Sequence, residues 1–145
     1  MPGHFLVRDP ASPGLLIDAF DSGRPLEHAE AELLLRRSAG PTARLTEDLL
    51  EPTGRFAILS RMLMNLDRSF EARGDLLGLA WVSRRRLTIP GMPVGYRVQL
   101  AGRLAVLGRL DEAATTLEDA AQKVVAEPDR TRLLRQAASL RARLN

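Results

Sequence analysis

Two glycines, Gly74 and Gly108, stand 34 residues apart, each between stretches whose apolar residues recur at helical spacing. That arrangement restricts the fold more than anything else in the chain. Glycine accepts the left-handed conformation that ends helices, so each marks a corner between two of them. Ahead of Gly74, Thr53 is placed to cap a long helix carrying Phe56, Leu59, Met62, Leu63, Leu66 and Phe70. Behind it, Leu76 to about Leu87 forms the returning helix, stopped by Pro90. Pro93 opens the next helix, with Val98, Ala101, Leu104 and Ala105 inward, which ends at Gly108. Its partner runs from about Asp111 to Val125, with Ala114, Leu117, Ala121 and Val124 on one face. A last helix starts near Pro128-Asp129 and carries Leu133, Leu134, Ala137, Leu140 and Leu144.

A spacing of 34 residues between equivalent corners is the tetratricopeptide period. The small residues that follow each glycine (Gly78 and Ala80, then Ala113 and Ala114) let paired helices approach closely. Two units are visible where three usually stand alone, which gives the last helix the role of a cap.

The first twenty residues follow a different pattern. His4-Phe5-Leu6-Val7-Arg8 and Leu15-Leu16-Ile17-Asp18-Ala19-Phe20 are apolar runs of strand length, and Asp9 to Gly14 between them is turn chemistry. A β-hairpin is expected, with no convincing third strand after it. After Asp21-Ser22-Gly23, the stripe Leu26, Ala29, Leu33 and Leu34 predicts a linking helix that ends near Ser38-Ala39-Gly40-Pro41. Thr46 to Leu50 adds a short helical turn before Pro52. The fold expected is therefore mainly α, with an N-terminal hairpin plus linking helix over residues 1–40 and a tetratricopeptide-like helical region over 41–145.

Composition narrows the functions. The 145 residues are 45% hydrophobic, too many for a disordered chain, with a mean hydropathy of -0.12 and no apolar run of membrane-spanning length. No secretory signal is visible, and the cytoplasm is the expected location. The pI of 10.4 overstates the charge, which is only +3. Lys123 is the sole lysine, and arginine raises a computed pI without adding more than one charge per residue. With four Phe, one Trp and one Tyr available for base stacking, the balance argues against nucleic acid as a partner. There is no cysteine, hence no disulfide, thiolate metal site or thiol nucleophile.

Few residues could carry chemistry. His28 lies on an expected exposed helix among acids and reads as a surface residue. His4 begins one strand of the hairpin and Asp18 ends the other, so an antiparallel pairing makes them neighbours. A carboxylate beside an imidazole fixes its tautomer and stabilises the imidazolium, although any hairpin can bring a His near an Asp. The segment Gly91-Met92-Pro93-Val94-Gly95 lacks the Lys-Ser/Thr of a phosphate loop and reads as an interhelical connection. Arg84-Arg85-Arg86 is an anion-binding candidate, but a basic run at a helix C-terminus is usually a solvated face that complements the helix dipole. No metal-ligand cluster and no cofactor motif is present.

The stretch Met1-Pro2-Gly3-His4-Phe5-Leu6-Val7-Arg8, followed by Leu16-Ile17-Asp18-Ala19-Phe20 and Gly23, resembles bacterial transglutaminase-like proteins of the SirB type. In these, a transglutaminase-like domain precedes tetratricopeptide-type helices. Ile58 to Leu66, Gly74-Asp75-Leu76 and Leu107 to Ala113 fit the same order. The resemblance implies a Cys–His–Asp constellation of papain-like geometry, with His4 and Asp18 matching the histidine and aspartate. The cysteine would precede them, so the chain corresponds to the C-terminal half of such a protein and Met1 to an internal methionine, as in a truncated or mis-assigned product. Ala19 stands where a proline is usual, Ser22 where a glycine pair is common, and Val98-Gln99 where an acidic-basic continuation is expected.

The expected function is a non-catalytic protein-interaction or regulatory module, without a complete active site of its own. Arg-rich helices favour an acidic protein or peptide partner, with no membrane, and an uncovered hairpin would promote self-association. The alternative is a fragment of a cysteine-type hydrolase or acyltransferase, with His4 as general base and Asp18 orienting it.

Overall fold

The computed structural model describes residues 4–9 and 11–144; Met1-Pro2-Gly3 of the resemblance motif, Pro10 of the expected turn and Asn145 lie outside them. The chain is mostly helical, with a small antiparallel sheet at the N-terminus. It divides into two compact units, Met1–Pro52 and Thr53–Asn145, so the contact boundary falls beyond the Gly40-Pro41 break of the sequence.

In the first unit, β1 (Leu6–Asp9) pairs with β2 (Ser12–Asp18), and β2 pairs with β3 (Arg24–Leu26), in the order β1-β2-β3. The register sets Leu6 opposite Asp18 and Arg8 opposite Leu16, then slips between Arg8 and Asp9. The β1–β2 hairpin is present as expected, and β3 adds a third strand where the sequence offered no convincing one. It is only three residues long and contains Pro25, which lacks an N–H and is tolerated because β3 is an edge. The β2–β3 corner turns through Ser22 (φ 52°) and Gly23 (φ 77°), both left-handed. Ser22 thus occupies a conformation that favours glycine, which is why a glycine pair suits this position.

Period-two alternation turns Leu16 and Asp18 to the covered face of the sheet. Helix α1 (His28–Ala39) begins with a reciprocal capping box in which the Glu27 N–H donates to Glu30 Oε2 at 2.9 Å. It buries Ala31 and Leu35, not the predicted Leu33, which is 59% exposed. Leu26 belongs to β3, which shifts the helix start and rotates the inward stripe. Leu16, Leu26, Ala31, Leu35 and Leu45 form this unit's core, and α2 (Glu47–Leu50) adds Leu49 and Leu50 at its margin.

The second unit is a linear stack: α3 (Arg55–Ala72), α4 (Leu76–Arg86), α5 (Gly95–Val106), α6 (Leu110–Ala121) and α7 (Glu127–Ala142). Each helix packs chiefly on its neighbour in sequence. Gly74 (φ 65°) and Gly108 (φ 74°) make the same corner: the N–H of the following residue returns to the carbonyl four residues before the glycine, Asp75 to Phe70 at 2.9 Å and Arg109 to Leu104 at 2.9 Å. The α3 N-cap is Gly54, one residue after the expected Thr53, and α6 ends at Ala121, short of Val125.

The larger core joins α5, α6 and α7 through Leu100, Ala101, Leu104, Ala113, Ala114, Leu117, Leu133 and Ala137, among others. A smaller one joins α3 and α4 through Leu63, Val82 and Ile89, with Phe70 against it. The α3 stripe is therefore less covered than its periodicity suggests: Phe56, Leu59, Met62 and Leu66 are exposed. Leu134 and Leu144 of the last helical segment are exposed as well. Among the described residues, no helix is long and apolar enough to cross a membrane.

Candidate functional site

The hairpin brings His4 and Asp18 together. With Leu6 opposite Asp18, His4 lies two residues further along the same face, and its Nε2 sits 2.6 Å from Asp18 Oδ1. The same Oδ1 accepts the Phe20 N–H at 2.8 Å and the Asp21 N–H at 3.3 Å, a turn in which a carboxylate substitutes for a backbone acceptor. Asp18 is buried and His4 half-buried. The Phe20 ring lies against the imidazole at 4.9 Å, tilted by 57°, and Phe5 stacks on Phe20 at 6.3 Å.

The His4 hydrogen bond holds the Asp18 carboxyl below the ordinary carboxylate range. The Phe20 N–H adds to this, while burial opposes it. Asp18 thus stays ionised beside the ring and anchors it through Nε2, leaving Nδ1 as the ring nitrogen on the far side. That is the relation between an orienting carboxylate and a general base. No thiol completes it within this sequence, which has no cysteine.

The other expected candidates are accounted for by packing. His28 is exposed at the start of α1. Arg84 pairs with Glu112, Arg85 lies over the Trp81 ring at 5.5 Å, and Arg86 is buried against Asp67 and the Tyr96 ring. Of the triplet only Arg86 is spent inside the fold, while Arg84 and Arg85 stay on the exposed side of the helix end. Residues 91–94 lie in the connection from α4 to α5, and Gly95 opens α5. Among the described residues no group of three or more His, Cys, Asp or Glu could hold a metal ion.

One cluster escaped the sequence reading. Arg103 of α5 donates from Nη1 to Asp67 Oδ1 at 2.6 Å, to Ser83 Oγ at 2.6 Å and to the Leu79 carbonyl at 3.0 Å. Its Nη2 reaches Asp67 Oδ2 at 3.1 Å, and Arg86 Nη1 approaches the same oxygen at 3.4 Å. The cluster binds α3, α4 and α5 together. Its only trace in the sequence is a charged residue within an apolar sector: Asp67 four after Leu63, and Arg103 between Leu100 and Leu104.

Residues 1–64 match the Transglutaminase-like superfamily, a stretch that contains the whole sheet, His4 and Asp18 and runs on into α3. The UPF0162 protein of Xylella fastidiosa strain 9a5c is 42% identical over 69 residues, covering 45% of this chain and 25% of that protein. The UPF0162 protein of strain Temecula1 / ATCC 700964 gives the same identity and coverage. The chain spans about a quarter of the length of these curated relatives. No solved structure matches.

Proposed function

We propose that this chain acts as a non-catalytic protein-interaction or regulatory module of the SirB type, with a transglutaminase-like N-terminal segment followed by tetratricopeptide-type helices. The observation that carries the reading is a His–Asp pair kept at 2.6 Å in a sequence without a cysteine. In this chain Asp18 also ties down the β2–β3 corner through the Phe20 and Asp21 N–H groups, which gives the pair a structural use. The stacked helical hairpins supply the surface for a protein partner in the cytoplasm.

The test compares the purified chain with its His4→Ala variant on thioester, ester and peptide-amide substrates and in amine incorporation. Rates at the uncatalysed background for both proteins are expected. Turnover that His4→Ala abolishes while the circular dichroism spectrum is unchanged would overturn the reading.

The anchoring of His4 through Nε2 favours a second reading, a fragment of a cysteine-type hydrolase or acyltransferase with Nδ1 turned toward a thiol supplied by other sequence. Intact mass and iodoacetamide labelling of the product from its native source separate the two. A longer product with a reactive cysteine supports the enzyme reading, and a cysteine-free product removes it.

A further inference from the structure

A shallow groove of about 360 Å³ runs between α5 and α7, lined by Val98, Gly102, Ala105, Leu117, Gln136 and Leu140. Its α5 wall is low because Gly102 has no side chain, and a Cβ there would meet no atom within 4 Å. Val98, Gly102 and Val106 follow each other at four-residue steps, so the exposed apolar strip continues along the helix past the groove. Next to it, Arg132, Arg135 and Gln136 line a second depression at the start of α7, together with Glu127, Pro128 and Thr131. Gln136 belongs to both.

Charge selects the occupant. Residues 53–145 carry sixteen basic side chains against nine acidic ones, whereas residues 1–52 carry five against nine. The asymmetry is sharper at the groove. Helix α5 contains no acidic residue, and none occurs from Arg130 to the end of the chain. Asp129 neutralises Arg132 at 2.9 Å, and Glu127 is the other acid nearby. Arg135 is exposed and has no acidic partner among the described residues.

We infer that the α5–α7 groove docks an acidic peptide segment whose leucine-sized side chains enter between Val98 and Leu140 while its carboxylates meet Arg135 and its neighbours. This rests on the interaction-module reading and gives that reading a site and a ligand chemistry. Apolar anchors supply affinity, and the surrounding cations supply selection against neutral or basic segments.

The experiment measures fluorescence anisotropy of the full chain with three labelled peptides of one length: alternating leucine and glutamate, its glutamine twin and its lysine twin. The glutamate peptide is expected to bind about threefold more tightly than the glutamine twin, the worth of one or two screened ion pairs of a few tenths of a kcal/mol each. Gly102→Phe fills the groove, and replacing a helix glycine leaves α5 at least as stable, which a melt verifies. It is expected to weaken the glutamate peptide at least about fivefold, as is Arg135→Glu. Equal binding of the glutamate and glutamine peptides, or indifference to Gly102→Phe, overturns the groove but leaves an interaction module that binds elsewhere. No binding of any peptide overturns it too, while the substrate assays on His4→Ala decide the module reading separately. Displacement of the glutamate peptide by a single-stranded oligonucleotide with a steep salt dependence also overturns it, in favour of a nucleic-acid surface.

Discussion

Replacing Asp67 by alanine should destabilise the helical unit more than truncating one of its exposed charged side chains does. Asp67 accepts two hydrogen bonds from Arg103 and faces Arg86 at 3.4 Å, and all three side chains are at most 14% exposed. Without it, Arg103 retains Ser83 and the Leu79 carbonyl, while the remaining contact of Arg86 among the described residues is the Tyr96 ring. Removing one partner of a buried ion pair leaves uncompensated charge and costs about 3–5 kcal/mol. The residual solvent access and the surviving acceptors of Arg103 favour the lower end, about 3 kcal/mol. For a unit of this size that is a fall in Tm of roughly 12–20 °C. Urea melts followed at 222 nm measure the loss. Arg84→Ala serves as the reference, because it breaks an ion pair with Glu112 in which both side chains are over 40% exposed and should cost under about 1 kcal/mol. Equal losses in the two variants would refute the reasoning, for they would mean that water solvates the buried arginines as well as it solvates the surface.

Further outcomes are expected at three other positions. Gly78→Ala should destabilise by about 1–3 kcal/mol although alanine is the better helix former, because its Cβ would lie 2.5 Å from Phe70 Cδ1. Phe70→Leu should recover part of that loss in the double variant, and a melt as stable as the parent's would refute the contact. Asp18→Asn should flatten the acid limb of unfolding of the N-terminal unit. The folded Asp18 has a lowered pKa, so its stabilisation is present above about pH 4 and is lost as pH falls through the lower folded value. Melting temperatures between about pH 2 and pH 6 measure this, and an unchanged acid limb would count against it. Leu35→Ala removes a side chain only 1% exposed and should cost about 2–5 kcal/mol, read by urea denaturation.

What was legible in the sequence followed from short-range rules. Gly74 and Gly108 mark the two corners because left-handed backbone favours glycine, and His4 meets Asp18 because antiparallel pairing joins the ends of a hairpin. The misses have equally specific causes. Strand β3 is three residues long and includes a proline, so no alternation announces it, and its Leu26 reads as the start of the following helix. The α3 stripe has true helical period, yet periodicity says nothing about how much of a stripe a neighbour covers; Leu63 is buried and Met62 half exposed. Asp67 and Arg103 lie 36 residues apart on different helices, and only the stacking brings them together. Asp18's second role, holding two backbone N–H groups of its own turn, left no pattern separate from its pairing with histidine.

Because each helix of the second unit touches chiefly its sequence neighbours, and most of its buried apolar residues fall into two separate groups, the stack has a direction of failure. The group joining α5, α6 and α7 is large, while the group between α3 and α4 is small, made of Leu63, Val82 and, just after α4, Ile89 with their fringe. Amide protons of α3 should therefore exchange through a partial opening that leaves α5–α7 closed, at a free energy below that of global unfolding. The Asp67–Arg103 contact spans from the weak end of the stack to the strong one, so it sets how widely those two opening energies differ.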